Sequence, residues 1–171
     1  MAKSDSFFIR AELTVDDSNT FQQTPISLGS YVDALGQAVL RIHNVEYEWI
    51  ASDGTAPEMD ANTAGFASCQ ITTQSQSGLV SLFDKSTVFK SQIWARNPDG
   101  SPNPPATTYN DSHAPQHFSN GYLVAVETLY LGGQAGSEWL ASDDLKVALV
   151  MECTIEKMSQ SSAMALALSQ Q

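Results

Sequence analysis

LKVALVMECTIE, residues Leu145–Glu156, puts Leu145, Val147, Leu149, Met151, Cys153 and Ile155 on one parity. Lys146, Ala148, Val150, Glu152, Thr154 and Glu156 fall on the other. Alternation with period two sustained over this length reads as a β-strand with one face on a core. Phe7–Val15 repeats the pattern, with Phe7, Ile9, Ala11, Leu13 and Val15 against Phe8, Arg10, Glu12 and Thr14. Between them, Val39–Ile50 starts with Leu40 and Ile42 on one parity and continues with Val45, Tyr47 and Trp49 on the other. A one-residue phase slip inside a long apolar strand is what a β-bulge produces, and His43-Asn44 is its natural place.

Shorter strands are expected at Phe66–Thr73 and Thr87–Ala95. Tyr122–Leu131, apolar on both parities, reads as a central strand or one covered on its outer side. Gln22–Gly29 is a weaker strand, demoted by Pro25. Helical spacing is scarce: Ser30–Ala38 and Gln76–Asp84 suit a turn or two each, and Ser159–Leu168 a short terminal helix. Turns are signalled at Asp16-Asp17-Ser18-Asn19, Ser52-Asp53-Gly54, Asp99-Gly100, Asn120-Gly121 and Gly132-Gly133. The stretch Asn97–Ser119, with Pro98, Pro102, Pro104, Pro105 and Pro115, reads as one long loop, and such loops are usually functional. About six to eight turn-separated strands with almost no helix make an all-β protein. An antiparallel β-sandwich of jelly-roll type, with extended loops and terminal arms, fits length and spacing better than an immunoglobulin-type sandwich. The organisation expected is one sandwich domain, residues 1–157, followed by a C-terminal tail, 158–171.

The chain has 171 residues, with 8 Lys and Arg against 19 Asp and Glu, a formal charge of −11. That balance argues against gripping nucleic acid, which needs Lys and Arg concentrated on one face. The start, MAKSDSFFIR, lacks the apolar core of a signal peptide, so the sequon Asn110-Asp111-Ser112 is given no role. Cys69 and Cys153 both lie in apolar-alternating segments and read as buried free thiols.

Catalytic signatures are missing: there is no Gly-x-Ser-x-Gly elbow, glycine-rich phosphate loop or Cys-x-x-Cys, and no motif calls for a cofactor. Asp111, His113 and His117 form Asp-x-His-x-x-x-His, the one combination of metal-ligating types, but Pro115 between the histidines opposes the helix that would align them. Glu46 and Glu48 share a strand face and Asp16-Asp17 and Asp143-Asp144 sit in turns; solvated carboxylates are the plainer reading than paired acids of a glycosidase. Among the aromatics, Trp49 and Trp94 read as core. Trp139, in the loop Gly132–Ser142, and Tyr109 are the candidates for an exposed ligand platform.

The segment Ser27–Trp49, SLGSYVDALGQAVLRIHNVEYEW, resembles the N-terminal part of capsid proteins of small tailless viruses from aquatic settings. The chain as a whole looks like their single-jelly-roll major capsid proteins. The resemblance implies a structural, non-enzymatic shell protein of the virion whose partners are copies of itself, with a second capsid protein or an internal membrane as further partners. It implies that loops and termini clamp neighbouring subunits, here through Asn97, Pro102, Pro104, Pro105, Tyr109, Met164, Leu166 and Leu168. A departure is the N-terminal arm, which carries only Lys3 and Arg10 before Arg41, so direct genome binding is not expected. The other readings of the same fold are a carbohydrate- or ligand-binding sandwich, a cupin-like metal enzyme at His113 and His117, and a tail or fibre component.

Overall fold

Nine strands form two antiparallel sheets packed face to face in the computed structural model, which describes residues 4–16, 18–33, 35, 37–98, 107–139 and 144–171 (the backbone alone at 107–109). The strands are β1 (Phe7–Val15), β2 (Gln22–Ser27), β3 (Ala38–Ala51), β4 (Thr63–Thr72), β5 (Thr87–Asn97), β6 (Thr107–His113), β7 (Tyr122–Val124), β8 (Thr128–Ala135) and β9 (Leu145–Lys157). A 3-10 turn (Pro115–His117) follows β6, and a helix, α1 (Gln160–Ser169), follows β9. One sheet has the order β1-β9-β3-β7 and the other β2-β8-β4-β5-β6.

The pairing is nested. β1 pairs with β9, β2 with β8, β3 with β7 and β4 with β5, alternating between the sheets, so the chain is a long antiparallel hairpin rolled over on itself. That is the jelly roll. Lateral pairing of β9 with β3 and of β8 with β4 closes each sheet. The inward parities of both sheets supply the core, including Leu40, Ile42, Ile71, Phe89, Leu129, Leu131 and Met151, all fully buried. Each such side chain contributes about 1.5–3 kcal/mol of transfer free energy.

β1 and β9 occupy the ranges their alternation dictates, and the β3 register against β9 shifts between Ile42 and Asn44, where the phase slip lies. Pro25 sits in β2, an edge strand, where a missing N–H costs no ladder bond. Tyr122–Leu131, however, is two strands. β7 is an edge of one sheet, β8 is interior to the other, and the chain crosses between them at residues 125–127. Double-sided burial has a separate cause in each: α1 covers β7 from outside, through Ala163 against Val39 and Ala125, and loops overlie β8.

Gly132-Gly133 is no turn but the middle of β8. A Cβ on Gly133 would stand 2.7 Å from Val15 Cγ2, and one on Gly132 would stand 2.5 Å from the Phe21 ring. Small residues are placed there because side chains press on the strand from both sides. Ser30–Ala38 and Gln76–Asp84 hold no helix among the described residues; the first closes as a turn through the Asp33–Ala38 bridge, and the second is a run of turns and bends. Nor is Asn97–Ser119 one loop. β5 runs to Asn97, β6 pairs with β5 from Arg96–Thr107 to Lys90–His113, and the 3-10 turn follows. Polar residues in β6 hid a strand that lies at a sheet edge. The turn Asp99-Gly100 and the prolines Pro102, Pro104 and Pro105 lie outside the described residues.

Candidate interaction surface

The connection from β4 to β5 does not simply turn back. It folds over the outer face of the five-stranded sheet, held by Gln70, an outward-parity side chain of β4 that is fully buried. Gln70 Oε1 accepts from Val80 N–H at 2.8 Å and Nε2 donates to Gly78 O at 3.1 Å. Lys90 Nζ donates to Val80 O, and Thr73 N–H to Ser86 O closes the neck at 2.9 Å. At the far end, Asp84 Oδ1 accepts from Ser86 N–H at 2.8 Å and from Ser86 Oγ at 2.6 Å. The Ser86 hydroxyl and amide hold the Asp84 carboxyl below its ordinary range. Thr87 Oγ1 donates to Ser81 O at 3.0 Å, so residues 81–87 are tied end to end. On this braced frame Phe83 is 100% exposed and Leu82 is 46% exposed. Sequence reasoning missed both. The available signal was the pair itself, two large apolar residues between turn-formers Ser81 and Asp84-Lys85-Ser86.

α1 meets the same end of the molecule. Thr73 Oγ1 donates to Gln170 O at 2.8 Å, and Lys85 Nζ donates to Gln171 O at 3.0 Å. Gln170 is itself buried: its Oε1 accepts from Ala125 N–H at 2.9 Å and its Nε2 donates to Leu123 O at 2.7 Å. The tail is therefore held by its own chain rather than awaiting a partner for order. Leu166 packs towards Val39 and Ala125, while Met164 and Leu168 remain exposed.

The two candidate tryptophans exchange places. Trp139 is buried and donates its indole N–H to Phe66 O at 3.0 Å, while the strand bridge Met59–Trp139 fixes its backbone. Trp94 is 51% exposed on the outer face of the five-stranded sheet, its ring 5.9 Å from that of its cross-strand partner Phe66. The register shift near Val88 explains the error: Val88 is the extra residue, so parity counted from it assigns Trp94 to the wrong face. Trp49 is in the core as expected.

Asp111 and His113 share a face of β6, with His113 Nε2 3.6 Å from Asp111 Oδ1 and both side chains about half exposed. His117 is carried away on the 3-10 turn, and no group of three or more metal-ligating side chains converges among the described residues. The next residue, Phe118, is 51% exposed. Asn97 is fully buried and donates to Met59 O, so its side chain faces the interior; the Tyr109 side chain lies outside the described residues. Glu46 and Glu48 are solvated on the outer face of the four-stranded sheet, and Asp16 is spent on its own turn, accepting from Ser18 N–H at 3.1 Å.

Among the described residues, Arg41 and Glu156 form an internal charged pair. Arg41 grips Glu156, which is 1% exposed, through Nε–Oε1 at 2.7 Å and Nη2–Oε2 at 2.8 Å, and its Nη1 donates to Asn120 O. The Glu156 bonds raise the Arg41 guanidinium above its ordinary value. His43 Nε2 lies 2.9 Å from Thr154 Oγ1, a satisfied strand histidine. Cys69 and Cys153 are buried and unpaired; burial raises both thiols, Cys153 to about 12.

No family model and no curated protein matches the chain. Solved structures that are similar include the three-dimensional structure of Cocksfoot mottle virus, at 10% identity and TM-score 0.43 over 95% of this chain and 98% of that one. VP1 of Merkel cell polyomavirus in complex with disialyllactose is similar at 9% identity and TM-score 0.42, over 91% and 97% of the two chains. VP1 of Trichodysplasia spinulosa-associated polyomavirus in complex with GM1 oligosaccharide is similar at 9% identity and TM-score 0.40, over 87% and 95%. These neighbours are viral capsid proteins.

Proposed function

We propose that the chain is a structural subunit of a virion shell that self-assembles with copies of itself. The observation that carries this reading is the braced loop 73–86, which holds Phe83 fully in solvent. A large apolar ring held out by a bonded frame costs solvation in the free chain and suits a contact with a neighbour, where it needs no further ordering. Phe118, Met164 and Leu168 add exposed apolar side chains on the connections and the tail, the parts expected to clamp subunits. Electron microscopy of the purified protein, taken to high concentration across salt and pH, tests the reading. Regular closed particles or sheets are the expected result, and a strict monomer under all conditions overturns it.

A second reading, a carbohydrate-binding sandwich, is favoured by the half-exposed Trp94 beside Phe66, in place of the buried Trp139. It expects a broad glycan array to give binding that Trp94→Ala abolishes. An array with no signal removes it.

A further inference from the structure

Sheets with open edges invite another strand, and this molecule treats its edges unequally. β2 carries the exposed Pro25, which has no N–H to offer. β7 is only three residues long, and the Gln170 carboxamide occupies its outer backbone groups at Leu123 O and Ala125 N–H, as one unit of an added strand would. β1 has no such guard. It is nine residues long, contains neither Pro nor Gly, and pairs with β9 without a break in register from Phe7 to Val15. Among the described residues, no hydrogen bond is made to the backbone of Phe8–Thr14 from the side away from β9. That side opens into a groove of about 420 Å³ between β1 and β2.

We infer that β1 is a two-fold subunit contact, in which β1 of a second copy pairs antiparallel across an axis at Ala11. The two four-stranded sheets then become one continuous sheet. This inference rests on the reading of the chain as a self-assembling subunit and names one of its contacts.

The sequence of β1 selects both the partner and the axis. Opposed residues in an antiparallel pair point to the same face, so a two-fold axis must pass through a residue, not between two. The outer face of β1 presents Phe8, Arg10, Glu12 and Thr14, all exposed. An axis at position 10 sets Arg10 against its own copy, and one at position 12 does the same to Glu12. Like charges directly opposite destabilise a strand pair. An axis at Ala11 sets Arg10 opposite Glu12 of the second copy, and Glu12 opposite Arg10, so two cross-strand ion pairs form. The same axis sets Phe8 opposite Thr14 on the outer face and Ile9 opposite Leu13 on the inner one. Such a contact is isologous and closes on itself.

The test uses charge reversal and native mass spectrometry with sedimentation velocity on the full chain. Arg10→Glu puts acid against Glu12 at both pairs, and Glu12→Arg puts base against Arg10. Each variant alone is expected to lose two-fold association by at least about tenfold. Mixed one to one, they restore both ion pairs, and a heterodimer forms where neither homodimer does. Selective heterodimers support the β1 axis. Wild-type-like association of both single variants, or failure of the mixture to associate, overturns the β1 contact while a wild type that still assembles keeps the self-assembly reading. A wild type that stays monomeric at every concentration overturns both. Both positions are exposed, and thermal unfolding at the wild-type midpoint confirms that the variants remain folded.

Discussion

Gly133 and Gly132 sit side by side in β8, facing opposite ways, and they bear unequal loads. The neighbour that a new Cβ at Gly133 would strike is Val15, a fully buried, β-branched side chain on the opposing sheet with little rotamer freedom. The neighbour at Gly132 is the tip of the Phe21 ring, which is only half-buried and can swing away. Gly133→Ala is therefore expected to destabilise by about 1–3 kcal/mol and Gly132→Ala by clearly less, both measured by urea unfolding. The turn signal in Gly-Gly misled because the same residue type serves close approach as well as reversal. Glu156 is a second residue whose role the alternation hides, since its parity is outward and yet it is buried. Glu156→Ala strands the Arg41 guanidinium, and a loss of about 3 kcal/mol is expected in chemical denaturation. Arg41→Met in that background is expected to recover part of it, because it removes the orphaned charge. Asp84 behaves differently, being solvent-exposed. Its carboxyl is held low by Ser86, so the brace it gives the loop is complete above the ordinary carboxylate range and is lost as pH falls through the depressed folded value. Asp84→Ala should speed amide exchange at Ser86 with little change in midpoint, and the same acceleration should appear in the wild type only in strong acid.

At the scale of elements, α1 was legible in position but not in attachment. Ser159–Leu168 anticipates the helix to within a residue, and Ser159 caps it by accepting from Ser162 N–H. Its docking depends on features that no periodicity reports, among them the small side chain Ala163 against Val39 and Ala125, the Gln170 carboxamide bonds to Leu123 O and Ala125 N–H, and the Thr73 and Lys85 bonds to the last two carbonyls. Gln170→Ala leaves Ala125 N–H and Leu123 O without that partner, and a cost of about 1–3 kcal/mol is expected, with faster proteolysis confined to the last dozen or so residues. Ala163→Glu is expected to release the helix altogether, read as loss of helical signal with the strand signal intact. β6 was illegible for a related reason. An edge strand one ladder away from solvent needs little apolar content, so period two is absent where backbone pairing with β5 supplies the order. In contrast, the bulge in β3 was written in the sequence, because a long strand that keeps one face on the core must show in its side chains any slip of register.

For the whole molecule, a jelly-roll type of sandwich was expected from strand count and spacing, whereas the strand order and the exposed aromatics were not, since pairing between distant strands and loops that fold back over a sheet leave no periodic signal. The charge of −11 resists association at low salt. Screening shortens the reach of that repulsion from ~10 Å at 0.1 M salt to ~3 Å at 1 M. Light scattering should therefore show association strengthening with salt, a gain that outweighs the weakening of a few cross-strand ion pairs. Thiol reagents are expected to leave Cys69 and Cys153 unmodified at pH 8 until the chain is unfolded, because burial holds both in the neutral form. The nesting has a further consequence, in time rather than in space. Phe7 pairs with Cys153, and β9 is the common neighbour of β1 and β3, so the four-stranded sheet has no middle until synthesis has passed β9. Contacts so distant along the chain form slowly. A product terminated before β9 leaves β1 without its sheet partner. On the proposed two-fold contact, synthesis of β9 is therefore the checkpoint, because only a chain that has reached it carries β1 as a finished edge.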